Sequence, residues 1–72
     1  MIPVAFADMG ATVKVERISG RPEVRSHLQD LGFVEGAEAV VVQAQDGDLI
    51  VNLMGTKLAI TKEMAEKIMV RP

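Results

Sequence analysis

A small, strongly bent, mainly β barrel with one inserted α-helix is the fold this sequence predicts. Apolar and polar residues alternate with a period of two along much of the chain, and one stretch, residues 22–31, carries helical spacing instead. Turn residues punctuate the alternation, most plainly at Asp46-Gly47. With 72 residues, a single domain over 1–72 is expected, and so short a chain buries only about 60% of the surface its unfolded form exposes.

The first strand lies in residues 11–18. Ala11, Val13 and Val15 share one face and Thr12, Lys14 and Glu16 the other, whereas Ile18 falls out of phase. A bend or bulge near Arg17 would restore it to the core. The helix follows, with Val24, Leu28 and Leu31 on one stripe. Pro22 suits its first turn, and Gly32 is placed to take the left-handed conformation that closes it. Phe33 to Gly36 then turn the chain, with Gly36 at the bend.

Residues 37–55 read as a hairpin around Asp46-Gly47. The simplest register turns Glu38 inward. A bulge at Val41-Val42 avoids this by placing Ala39, Val41, Val42 and Ala44 inside with Leu49, Val51 and Leu53. Glu38, Val40, Gln43, Ile50, Asn52 and Met54 then face outward. Gly55-Thr56 is expected to turn the chain into a short strand with Leu58 and Ile60 inward. Thr61 can cap a helical turn over residues 62–67, with Glu63 near its positive end. Ile68 and Val70 are the inward residues of a last strand. The count is five strands and one helix, plus the helical turn before the last strand.

Composition narrows the function. The chain is 49% hydrophobic, with two Phe and no Trp, Tyr or Cys, so the core must be aliphatic and neither disulfides nor thiolate metal sites are available. The net charge is -2. Lys14, Arg17, Arg21, Arg25, Lys57, Lys62, Lys67 and Arg71 are scattered among acids, which argues against a nucleic-acid partner. The opening MIPVAFADMG is mildly apolar but lacks a basic flank, and Asp8 ends it far short of a membrane span. A cytoplasmic chain with no direct membrane insertion is expected.

LQDLGFVEGAEAVVV followed by GDLIVNLMGTKLAITKEMAEKIMV resembles the ferrous iron transport protein A family, FeoA. The residues that carry the resemblance are Leu28, Leu31, Gly32, Phe33, Gly36, Gly55, Leu58, Ala59, Ile60, Ala65, Ile68 and Val70. VERISG at 15–20 fits the same pattern, and AFADMG matches the short lead-in. Ala37 and Ala39 depart from it, standing where larger or hydroxylated residues are usual, and imply a looser local core. The resemblance implies an SH3-like barrel that acts in the cytoplasm as an accessory to FeoB, a polytopic membrane transporter with a cytosolic GTP-binding domain. It implies no enzyme activity, no cofactor, and transition-metal binding only at the level of the family. The same barrel resembles the C-terminal domain of iron- and manganese-dependent transcriptional repressors. That is the rival reading, and since the chain starts with its own Met and has no DNA-reading helical domain before the barrel, it is the weaker expectation.

His27, the only histidine, sits one helical turn from Glu23, with Arg25 and Asp30 nearby. Carboxylate and imidazole suit ferrous iron, but a stable site needs three or more convergent ligands. These read as solvated side chains. Met9, Met64 and Met69 read as core fillers. Asp46, Gly47 and Asp48 are turn residues without the remaining positions of a calcium loop. No Ser, His and acid combination has usable spacing, and no glycine-rich loop precedes a helix. A proline-rich ligand needs a groove of Tyr and Trp, both absent.

Two candidate partner contacts remain. Val40, Ile50 and Met54 face outward on the hairpin and would form an apolar patch unless the helix or the lead-in covers them. The Phe33-Val34 tip, flanked by Arg25 and Glu35, is the other. Phe33 itself reads first as a plug tying helix to barrel. Self-association remains open.

Overall fold

A computed structural model describes residues 1–72. The chain forms β1 (Ile2–Pro3), a 3-10 turn (Val4–Phe6), β2 (Thr12–Ile18), α1 (Pro22–Leu31), β3 (Glu38–Gln45), β4 (Asp48–Leu53), β5 (Thr56–Ile60), α2 (Lys62–Lys67) and β6 (Ile68–Arg71). All six strands belong to one antiparallel sheet in the order β1-β6-β2-β3-β4-β5. The sheet curls around a core whose buried side chains are all apolar. Its two edges do not pair with each other. α2 and the 3-10 turn pack together between them, and α2 also touches β1, β4 and β6.

Both expected irregularities exist. The β2–β6 register shifts between Val15 and Arg17, so Glu16 is the extra residue and both Val15 and Ile18 face the core. The β3–β4 register shifts between Val41 and Gln43, which makes Val42 the extra residue. Here the inward set needs correction, because Val42 and Ala44 are exposed. The cause lies in β2, whose ladder with β3 ends at Thr12 opposite Val40, extended only by backbone bonds of Gly10 and Ala11 to Val41. Beyond that point β3 has a partner on one side alone and runs past the core. The small residues expected to loosen this region, Ala37 and Ala39, are both buried.

Two further corrections concern turns and ends. The β4–β5 turn is Met54-Gly55, with φ of 52° and 93°, and Thr56 already pairs with Leu53. Positive φ at both central positions matches the right-handed twist of a two-residue hairpin, and Asp46-Gly47 has the same form. The side-chain oxygen of Asn52 accepts from the Gly55 amide at 2.9 Å and holds the turn. The sixth strand is β1: Ile2 pairs with Val70 and Pro3 with Met69. A proline is tolerated there because one side of an edge strand needs no donor. Just after it, Val4 is buried in the core.

Candidate functional site

No group of three or more His, Asp or Glu side chains comes close enough to hold a metal ion. His27 is exposed and shares an open groove of about 300 Å³ between α1 and α2 with Glu23, Glu63 and Lys67, over a floor of Val24 and Met64. What the molecule presents is surface, and the geometry that matters is how rigidly it presents it.

The helix exit is the best-defined part. α1 ends in Gly32, at φ 112° and ψ 2°. The Gly32 amide donates to the Gln29 carbonyl and the Phe33 amide to the Leu28 carbonyl, each at 3.0 Å, which is the Schellman arrangement. Leu28 and Phe33 are both fully buried in one core cluster, the apolar pair that accompanies this closure. Leu31, expected on the inward stripe, is exposed, because the helix meets the core chiefly through Leu28. Val34 then donates to the Gly32 carbonyl, Ala37 to Val34, and Gly36 to Val15. The tip is therefore fixed by main-chain bonds on both sides.

Three of the six candidate contacts, Arg25, Phe33 and Val34, do come together, in a groove of about 270 Å³ between α1 and β2 that also holds Arg17, Gln29 and Glu35. Phe33 is 1% exposed, so it belongs to the core and leaves the set of candidate contacts. Val34 is 49% exposed. Arg25 and Arg17 make no ion pair; the one present joins Arg71 to Glu16. The other three candidates lie on the β3–β4 hairpin and the turn after it. Val40 is half-buried opposite Asn52, and Ile50 is half-buried between Gln43 and Ala59. Only Met54 protrudes, at 76% exposure on its turn.

Sequence reasoning missed a different surface. Met1, Ile2, Phe6 and Met9 are all exposed, Met9 contrary to its expected place in the core. Beside them lies a groove of about 230 Å³ lined by Ile2, Phe6, Ala11, Val13, Val70 and Pro72, with Asp8 and Arg71 on its rim. The signal available was the apolar opening itself, which has neither strand nor helix period.

The FeoA domain family matches residues 2–72. The chain belongs to the FeoA family. A Methanocaldococcus jannaschii relative, assigned by name to Fe(2+) transport protein A, is 34% identical over 70 residues, covering 97% of this chain and 85% of that protein. A crystal structure of an iron uptake regulatory protein, FeoA, superposes with a TM-score of 0.89 at 30% identity, over 97% of this chain and 93% of the other. Stenotrophomonas maltophilia FeoA, crystallised with zinc and described as an SH3 domain protein, gives 0.85 at 21% identity over 99% and 91%. At that identity the likeness shows the shared fold, and its zinc belongs to that protein. FeoA proteins are small accessory proteins of ferrous iron transport, and this FeoA chain has their SH3-like architecture. The rival reading has structural support of the same limited kind. A manganese-dependent transcriptional repressor superposes at 0.84, with 19% identity over 92% of this chain and 38% of the repressor, which again shows the fold alone. No helix here is long and apolar enough to cross a membrane.

Proposed function

We propose that this protein works in the cytoplasm by binding alone, docking on the cytosolic part of the ferrous iron transporter FeoB to influence its assembly or nucleotide-linked gating. The observation that carries this reading is the family match across residues 2–72. Ferrous iron is the transporter's cargo in this scheme and not a resident group of this chain.

Val34 and the unpaired guanidinium of Arg25 are the docking contacts favoured, with Met54 as a separate apolar point. Their backbone is already fixed by the helix closure and the turn, so little ordering entropy is lost on binding. Such an accessory shifts its partner only by the difference in its affinity for the partner's states, and each tenfold difference is about 1.4 kcal/mol. The test is capture of the transporter from membranes in GTP-bound, GDP-bound and nucleotide-free states. Saturable capture that differs among states supports the reading, and no enrichment in any state removes it.

A further inference from the structure

We propose that the groove between α1 and β2 recognises a short acidic and aliphatic peptide segment of the partner, with a carboxylate held between Arg17 and Arg25 and an apolar side chain covering Val34. The assignment rests on the docking reading above and adds to it the chemistry of what docks. Arg17 stands on β2 and Arg25 on α1, so two guanidinium groups line the groove from its two walls. Neither has an ion-pair partner. Two acids share the groove, Glu16 and Glu35. Glu16 is the extra residue of the β2 bulge and is taken by Arg71 of β6, which leaves Glu35 alone against two free cations. In a chain whose net charge is -2 this is a local excess of positive charge, and it selects an anionic partner.

The anion that fits best is a carboxylate. A guanidinium presents a planar fork of N–H donors that matches a carboxylate in two parallel bonds. Phosphate sites draw in addition on a concave row of free backbone amides. Here the tip has spent them: Phe33 donates to Leu28, Val34 to Gly32, Gly36 to Val15 and Ala37 to Val34. Nucleic acid and anionic lipid call for a stripe of several cations, not for two beside a glutamate. The apolar half of the site is Val34, 49% exposed at the tip, above a floor of Val15, Ile18 and Phe33 that is buried in the core and cannot give way. Gln29, exposed on the α1 wall, offers a side-chain amide to the main chain of the peptide. An acid next to an aliphatic residue is therefore the sequence this surface is shaped to read.

Titration of the isotope-labelled full chain with a blocked pentapeptide of glutamate and leucine, followed by NMR, tests this, with a lysine and leucine peptide of the same length as control. The acidic peptide is expected to shift the Arg17 and Arg25 Nε–H signals and the Val34 amide saturably, and the basic peptide to shift none of them. The double variant Arg17→Gln, Arg25→Gln and the single variant Val34→Glu should each weaken binding by about tenfold or more. All three positions are exposed and neither arginine is ion-paired, so thermal melts of the variants should match the parent. No shifts, equal shifts with both peptides, or an affinity that the double variant keeps overturns the proposal. So does displacement of the peptide by an equal concentration of inorganic phosphate, because the groove would then be a general anion site. The titration contains no transporter, which separates this proposal from the docking reading. Peptide binding by a protein that captures no transporter upholds the groove's chemistry and removes the docking, whereas capture that the double variant retains in full overturns the proposal and leaves the docking in place.

Discussion

The amide of Phe33 donates to the carbonyl of Leu28 at 3.0 Å, five residues back across Gly32, and both side chains are buried in the same core cluster. This one relationship joins the only long helix to the sheet. It also sets the direction in which Val34 leaves the barrel.

Gly32→Val should therefore destabilise by at least about 1 kcal/mol, because a β-branched residue tolerates φ of 112° poorly. For a domain of this size that corresponds to a loss of roughly 4–8 °C in Tm. A Cβ at Gly32 would also lie 3.1 Å from Leu53 Cδ2, whereas one at Gly36, φ 87°, meets nothing within 4 Å. Gly32→Ala should thus cost more than Gly36→Ala in parallel thermal melts. Equal losses would mean that the Leu53 contact is relieved for nothing.

Phe33 is the largest fully buried side chain, and its removal leaves a cavity that an aliphatic neighbourhood cannot close. Phe33→Ala is expected to cost about 3–5 kcal/mol, a large share of the roughly 4–11 kcal/mol available to a chain of this length. Phe33→Leu should keep the protein folded with a smaller loss. Urea titration of both variants checks the order.

Two acceptors serve the start of α2. The Thr61 hydroxyl accepts from the Met64 amide at 3.2 Å, and the Asp48 carboxylate, reaching over from the hairpin, accepts from the Lys62 amide at 3.0 Å. Thr61→Ala should cost about 0.5–2 kcal/mol. Asp48→Ala should cost a similar amount and Asp48→Asn much less, since Asn keeps the acceptor. A double-mutant cycle is expected to show coupling between positions 48 and 61, as they serve one helix end.

His27 shares its groove with Glu23 and Glu63, but the three do not converge on one point. Anaerobic calorimetry with ferrous ion should give weak binding that His27→Ala leaves unchanged. Tight binding abolished by that substitution would assign the chain a metal-carrying role.

Much of the fold was legible because local rules and packing agreed. Ile18 out of phase announced the Glu16 bulge, Gly32 the helix stop, and Thr61 the cap of α2. The misreadings have specific physical causes. β1 has two residues, one of them proline, and two residues cannot show a period. Met54 adopts φ of 52° although methionine carries no turn signal, so the β4–β5 turn was placed one residue late. Val42 and Ala44 are exposed because β2 ends before them, a fact of strand length elsewhere in the chain. The surface was the least legible. Facing direction alone does not give exposure: Val40 and Ile50 are half-buried, and only Met54 of the three protrudes. The Phe6 groove is assembled from both chain ends and β2, and no local pattern reports that.

Binding without chemistry is tested most directly by equilibrium measurement of this protein against purified, reconstituted FeoB in each nucleotide state. The expected result is saturable binding whose affinity differs between states and falls by about tenfold or more with Val34→Glu, while Val34→Glu leaves the melting temperature unchanged. No binding in any state, from a folded parent protein, would contradict it.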